Sequence, residues 1–338
     1  RLAAEGFPVS SKTACSRCGS ENGSQMGNTQ GELPTAGECC FKQSSSLVYI
    51  VAEAGDSKGS NGLVPASHPH VENTRHAYMT PVLSQAETHG KLALGEVIPG
   101  QTVKCADGSV YSGEWHCNRF HGEGKLWLSD GSLYEGQFLN GRRHGIAKFT
   151  YANGAIFEGE YVQDMRQGKG RLMCAQGSIW DASSYEGEWI LDLQDGSGIE
   201  RWGDGSVFTG DFQQGRKHGH GKFMWSEGCM YEGQFVQNDM TGEGRYVWAD
   251  GRHYQGQWTE NRMEGTGVMR WPDGRCYQGT FVSGKKHGEG ILRWQDGRTY
   301  EGQWLTGQQH GFGIVTTSKG LSRKSQWREG KFIKWGAD

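Results

Sequence analysis

An all-β fold is predicted for the C-terminal two thirds of the chain, on three observations. Aromatic residues recur at Tyr111, Tyr134, Phe157, Tyr185, Phe208, Tyr231, Tyr254, Tyr277 and Tyr300, every step being 23 residues except one of 28. Spacing within each unit is two, the period of a strand and not of a helix. Each unit closes on a pair such as Asp130-Gly131, Asn153-Gly154, Asp250-Gly251 or Asp296-Gly297. Such a pair between alternating runs signals a hairpin, because both central residues of a tight turn need positive φ.

The first half of a unit reads aromatic-x-Gly-x-aromatic. Two residues after each anchor stands Gly, from Gly113 to Gly302, and two further on another ring: Trp115, Phe138, Tyr161, Trp189, Phe212, Phe235, Trp258, Phe281 and Trp304. Rings and glycines then share one face, and polar residues such as Glu135 and Gln137, or Gln255 and Gln257, take the other. Glycine ordinarily weakens a strand. Here each one leaves a gap that a neighbouring ring covers, so a thin sheet can bury aromatic area without a second sheet. The second half carries Gly at 122, 145, 168, 196, 219, 242, 265, 288 and 311, and another Gly two residues later, Ala147 excepted. An apolar slot (Leu126, Phe149, Leu172) and a bulky one (Tyr151, Trp202, Trp225, Trp248, Trp271, Trp294) follow.

The pattern Tyr-Glu-Gly-Gln-Phe…His-Gly-x-Gly…Asp-Gly closely resembles the MORN repeat (membrane occupation and recognition nexus). The resemblance divides the chain into a partial capping repeat at 101–110, nine repeats at 111–322 and a C-terminal capping hairpin at 323–338. It implies an elongated, single-layer antiparallel β-meander with two strands per unit. At ~4.8 Å between strands, about twenty strands make a ribbon on the order of 90 Å long. Residues 1–100 are rich in Ser, Gly, Thr and Asn, and read as a largely disordered, low-complexity extension.

Composition narrows the function class. Of 338 residues only 35% are hydrophobic, and the 55 glycines are about twice the usual share of roughly 7%. No apolar run reaches the ~18 residues of a membrane-spanning helix. The net charge of -3 argues against a broadly basic nucleic-acid binder. Nine cysteines in a chain of this length read as reduced thiols in a cytosolic setting.

Several motifs bear on chemistry. His121, His144, His218, His287 and His310 each precede a Gly at the repeat period, which marks a turn or strand-start element and not a catalytic loop. Gly55-Asp56-Ser57-Lys58-Gly59 matches a hydrolase elbow, but Gly62 and Pro65 break the helix such an elbow requires. Cys15-x-x-Cys18 with adjacent Cys39 and Cys40 lacks the spacing of a zinc site. No metal, cofactor or catalytic residue is expected. Met26-Gly27 offers a candidate start with Gly27 as a myristoylation site, although Gly31 stands where Ser or Thr is required; Cys39 and Cys40 are candidate palmitoylation sites. Arg119, Arg142, Arg143, Arg166, Arg216, Lys217, Arg262, Lys285 and Lys286 fall between the two strands of a unit and are expected to line one long edge that anionic lipid could contact.

The resemblance implies a non-catalytic scaffold at a membrane or cytoskeletal structure, cytoplasmic and peripheral. Its expected mode is capture of a partner helix or peptide along an aromatic-glycine groove formed by Tyr111, Trp115, Tyr134, Phe138, Tyr231, Phe235, Tyr254, Trp258, Tyr277, Phe281, Tyr300 and Trp304. End-to-end homo-oligomers are also known in the family, and direct phospholipid binding is an alternative. A further alternative is a targeting array preceding an enzyme of the phosphatidylinositol phosphate kinase kind, which would require a catalytic domain beyond Asp338.

Overall fold

The computed structural model describes residues 97–175 and 183–336. The candidate acylation sites Gly27, Cys39 and Cys40, the Ser57 motif and the Cys15 pair lie outside the described residues. Within them the chain forms strands joined by turns. The first seven are β1 (Ile98–Lys104), β2 (Val110–His116), β3 (Arg119–Trp127), β4 (Leu133–Leu139), β5 (Arg142–Thr150), β6 (Ile156–Val162) and β7 (Met165–Met173). Next come β8 (Ser184–Ile190), β9 (Leu193–Arg201), β10 (Val207–Gln213), β11 (Arg216–Met224), β12 (Met230–Val236), β13 (Asp239–Val247) and β14 (His253–Thr259). The last are β15 (Arg262–Arg270), β16 (Cys276–Val282), β17 (Lys285–Arg293), β18 (Thr299–Leu305), β19 (Gln308–Thr316), β20 (Ser322–Arg328) and β21 (Lys331–Trp335). Every strand pairs antiparallel with its sequence neighbour, giving one open 21-stranded meander.

The two kinds of connection reverse the expectation drawn from Asp-Gly. Tight two-residue turns lie inside the units, where both residues are left-handed: Cys117 (φ 48) and Asn118 (φ 57), or Gln163 (φ 50) and Asp164 (φ 74). That is the type I′ geometry favoured by the twist of the flanking strands. The Asp-Gly pairs occupy five-residue loops between units. There only Gly131 is left-handed (φ 90), and Asp130 instead accepts the Ser132 N–H at 2.8 Å through its carboxylate. Gly131 N–H donates to Leu128 O at 3.0 Å, and Leu128 N–H to Ser132 O at 2.8 Å, closing the loop.

One of the tight turns carries a poor residue for its conformation. Leu191 sits at φ 50 and is 60% exposed. A side chain with a γ-branch gains nothing there, whereas asparagine tolerates the left-handed region. Leu191→Asn is expected to raise stability by about 1 kcal/mol, read as a higher denaturation midpoint of the full chain.

Register explains the glycines. Gly113 pairs with Gly124, Gly124 with Gly136, and Gly136 with Ala147, and the row continues across the sheet to Gly302, Gly313 and Ser325. A Cβ on Gly113 or Gly124 would come within 2.5 Å of the Tyr111 hydroxyl. The anchor ring therefore lies flat across the backbone of its own strand and the next. Beyond it the second ring closes the face: Tyr111 and Trp115 meet edge to face at 5.2 Å, and Tyr111 reaches Phe138 of the next unit at 5.1 Å. Edge-to-face pairs of this kind add ~0.5–1.5 kcal/mol each beyond their burial. The chain of contacts runs on through Tyr254–Phe281 at 5.0 Å and Tyr300–Trp327 at 5.6 Å.

Candidate functional site

The twelve rings expected to line an open groove are instead the core. Tyr111, Tyr134, Tyr231, Tyr254, Tyr277 and Tyr300 are 0% exposed, and Trp115, Phe138, Phe235, Trp258, Phe281 and Trp304 are all buried. The reason is the glycine row. With no side chain to hold the rings away from the backbone, they sink onto it and pack against one another.

Each anchor hydroxyl also has a backbone partner. Tyr134 donates to Gln137 O at 2.7 Å, Tyr254 to Gln257 O at 3.0 Å and Tyr300 to Gln303 O at 2.9 Å. Those carbonyls sit where the ladder shifts register, between Gly136 and Phe138 for example. The shift is made by the Gly that follows the histidine slot, left-handed at Gly122 (φ 55), Gly242 (φ 60) and Gly265 (φ 68). His-Gly is therefore a strand bulge, placed within the strand and not at its start. The polar residue after the row glycine secures the bulge: Gln234 Oε1 accepts Glu243 N–H at 3.0 Å, and Gln257 Oε1 accepts Thr266 N–H at 2.9 Å. This bracing was missed in the sequence, although its signal was present in the recurring Gly-Gln, Gly-Glu and Gly-Asp pairs.

The expected basic edge is divided between the two faces. Arg142, Arg216, Arg262 and Lys285 open their strands on the ring-free face. Arg143, Arg166, Lys217 and Lys286, one position later, turn to the ring face. The Arg143 guanidinium lies 5.3 Å from the Tyr161 ring centre, and that of Arg166 4.2 Å from Trp189. Lys217 is 8% exposed and sits 4.8 Å above Trp202. The edge reading fails for Arg143, Arg166, Lys217 and Lys286, because alternation along a strand sends consecutive residues to opposite faces.

Counter-ions hold most of these inward cations. Arg143 pairs with Asp164 at 3.3 Å, Arg166 with Asp192 at 3.1 Å, and Lys217 with Glu200 at 2.8 Å. Asp164 and Asp192 stand at the second position of the next tight turn and also accept the backbone N–H of Arg143 and Arg166. Asn238 and Asn261 make the same backbone bond, uncharged, to Lys217 and Met240.

The ring-free face carries rows of exposed polar and charged side chains. Its strands alternate acid and base, with Lys125–Glu135 at 2.7 Å and Lys148–Glu158 at 3.4 Å. A shallow depression of about 760 Å³ lies over the glycine row there, bounded by Glu123, Lys125, Glu135, Gln137, Lys148 and the exposed Ile146. Along its turn side runs a stripe of apolar residues that close six of the even strands: Leu139, Val162, Ile190, Val236, Val282 and Leu305, between 39% and 47% exposed. Among the described residues no cluster of His, Cys, Asp and Glu could hold a metal ion. No helix among them is long and apolar enough to cross a membrane.

Comparison with known proteins matches the family model of the MORN repeat nine times in succession, at residues 111–133, 134–156, 157–179, 185–207, 208–230, 231–251, 254–274, 277–297 and 300–322. A search of curated proteins finds no match. Among solved structures the chain is similar to the TCP10 domain of Danio rerio CPAP in complex with a peptide of Danio rerio STIL. They share 12% identity, with 72% of this chain and 100% of that one covered, at a TM-score of 0.38. It is similar also to the TCP10c domain of Drosophila melanogaster Sas-4, at 15% identity, with 61% and 99% covered and a TM-score of 0.25. Likenesses this weak carry no argument about fold or partner.

Proposed function

The chain belongs to the MORN repeat family, and from that membership we propose that it is a non-catalytic scaffold whose ring-free face receives a segment of a protein partner. The observation that supports this most is the exposed apolar stripe from Leu139 to Leu305. Neighbouring members stand two strands apart, or ~9.6 Å at the usual strand spacing, except across β10 and β14, where Gln213 and Thr259 take the position. A helix presenting an apolar residue at every seventh position repeats at ~10.5 Å. A polyproline II segment returns to the same face every third residue, at ~9.3 Å. Either would set apolar side chains on the stripe, with Arg142, Arg216, Arg262 and Lys285 alongside for its acidic residues. We place the scaffold in the cytoplasm, peripherally at a membrane or the cytoskeleton. The free thiols of Cys105, Cys117, Cys174, Cys229 and Cys276 fit a reducing compartment.

Those same cations beside the stripe favour one second reading, contact with an anionic leaflet. Against it, Glu135, Glu158, Glu232 and Glu289 share the face and would be repelled. The test is the full chain and its Val236→Glu/Val282→Glu variant, used as baits in the native cell and compared by quantitative mass spectrometry. Both positions are exposed, so stability should change by no more than ~0.5 kcal/mol. Partners enriched by the parent and lost from the variant support the proposal. Equal enrichment by both contradicts it, and salt-sensitive flotation of the parent with phosphatidylserine vesicles would transfer the stripe to the lipid reading.

A further inference from the structure

The repeats supply an internal comparison that singles out Lys286. Three other cations occupy its slot, and each has a carboxylate: Asp164 for Arg143, Asp192 for Arg166 and Glu200 for Lys217. Shifted by three units, the position of Glu200 is Met269 and that of Asn238, in the next tight turn, is Gly307. The Gly307 N–H still donates to Lys286 O at 2.8 Å, so the backbone clamp is intact and only the side chain differs. Among the described residues no ion pair is made by Lys286.

Its surroundings are aromatic and cationic. The Lys286 ammonium lies 4.2 Å from the Trp304 ring centre, 5.5 Å from Tyr277 and 5.8 Å from Trp271. From the loop before β16, Arg275 stacks on Trp271 at 5.3 Å, its guanidinium held to Asp273 at 2.7 Å. Burial, and after it the charge of Arg275, pulls the ammonium down to about 8. Ring faces attract a cation but do not neutralise it, so a half-buried ammonium without a carboxylate is left with an unmet demand.

We propose that Lys286, caged by Trp271, Tyr277 and Trp304 and open beside Gly307, is a recognition site for a carboxylate of an acidic peptide segment. The incoming carboxylate takes the place that Asp164 and Asp192 fill for their own cations, and Arg275 adds positive potential at the rim. The site is on the ring face, so it stands apart from the stripe and does not depend on the reading given to that surface.

The repeats also supply the variants. Lys286→Met has precedents in Met240 and Met263, which fill the same slot buried. Gly307→Asp has them in Asp164 (φ 74) and Asp192 (φ 68), at the same turn position as Gly307 (φ 89). Gly307→Asn copies Asn238 and Asn261, restoring a side-chain clamp without a charge. Binding of a hexaglutamate peptide to the full chain is measured by calorimetry at low salt, with inorganic phosphate as the comparison anion. Lys286→Met and Gly307→Asp should each weaken the peptide by at least about tenfold, the worth of one charge-assisted contact, and Gly307→Asn should leave it within about twofold. The proposal is overturned if the parent does not bind the peptide, if Lys286→Met binds as well as the parent, if Gly307→Asn loses as much as Gly307→Asp, or if phosphate binds more tightly than the peptide.

Discussion

Tyr254→Ala is expected to lower the stability of the array by about 3–5 kcal/mol, and Tyr254→Phe by about 1 kcal/mol. The alanine variant removes a ring that is 0% exposed and packed edge to face with Trp258 at 5.3 Å and Phe281 at 5.0 Å. The phenylalanine variant loses only the hydroxyl's bonds, to Gln257 O at 3.0 Å and Thr266 O at 3.5 Å, and Phe157 and Phe208 already occupy the equivalent position fully buried. Gly267→Val attacks the same contact from below, since a Cβ there would overlap the Tyr254 ring. Its cost is expected to be about 3 kcal/mol. Denaturation of the full chain followed by tryptophan fluorescence checks all three. A Tyr254→Ala midpoint equal to that of Tyr254→Phe would show that the ring is not packed as described. Stacked repeats unfold unit by unit as well as together, so the loss should be largest for reporters in the units around Tyr254.

Alkaline pH should unfold the array in one step. Burial raises the hydroxyls of Tyr111 and Tyr300 to about 12, and those of Tyr134, Tyr161, Tyr185, Tyr231, Tyr254 and Tyr277 higher still. In the unfolded chain a tyrosine ionises near pH ~10. Below that pH both states hold the proton and stability is unaffected. Above it the unfolded state binds fewer protons than the native one, so stability falls with rising pH, by ~1.4 kcal/mol per unit for each such tyrosine. With eight of them the slope is steep. Circular dichroism should hold to about pH 10 and then collapse before pH ~12, with tyrosinate absorbance at ~295 nm appearing in the same step. Ionisation spread around pH ~10 with the sheet signal unchanged would contradict burial of these rings.

Much of this architecture could be read from residue spacing. The 23-residue period placed the strands, and the pairing of a ring with a glycine two residues on identified the packed face. The exposure of that face was misread. Spacing shows which residues share a face, but whether rings stand up from a sheet or lie down on it depends on the strand next door. Only the register of Gly113 on Gly124 reveals a continuous trough. The basic residues went wrong for a related reason. Arg142 and Arg143 are adjacent in sequence, yet the tight turn at Asn140–Gly141 leaves both inside β5, where neighbours point to opposite faces. The unmatched Lys286 became visible only when the turn two strands away could be compared with its counterparts.

Hydroxyl-radical footprinting of the native full chain, read by mass spectrometry, tests the division of the two faces most directly. Oxidation is expected at Leu139, Ile146, Val236 and Val282, with Tyr134, Tyr231, Tyr254 and Tyr277 protected until the chain is unfolded. Native oxidation of those tyrosines at the rate found in the unfolded chain would mean that the rings stand open to solvent, and would contradict both their burial and the placement of the partner stripe on the opposite face.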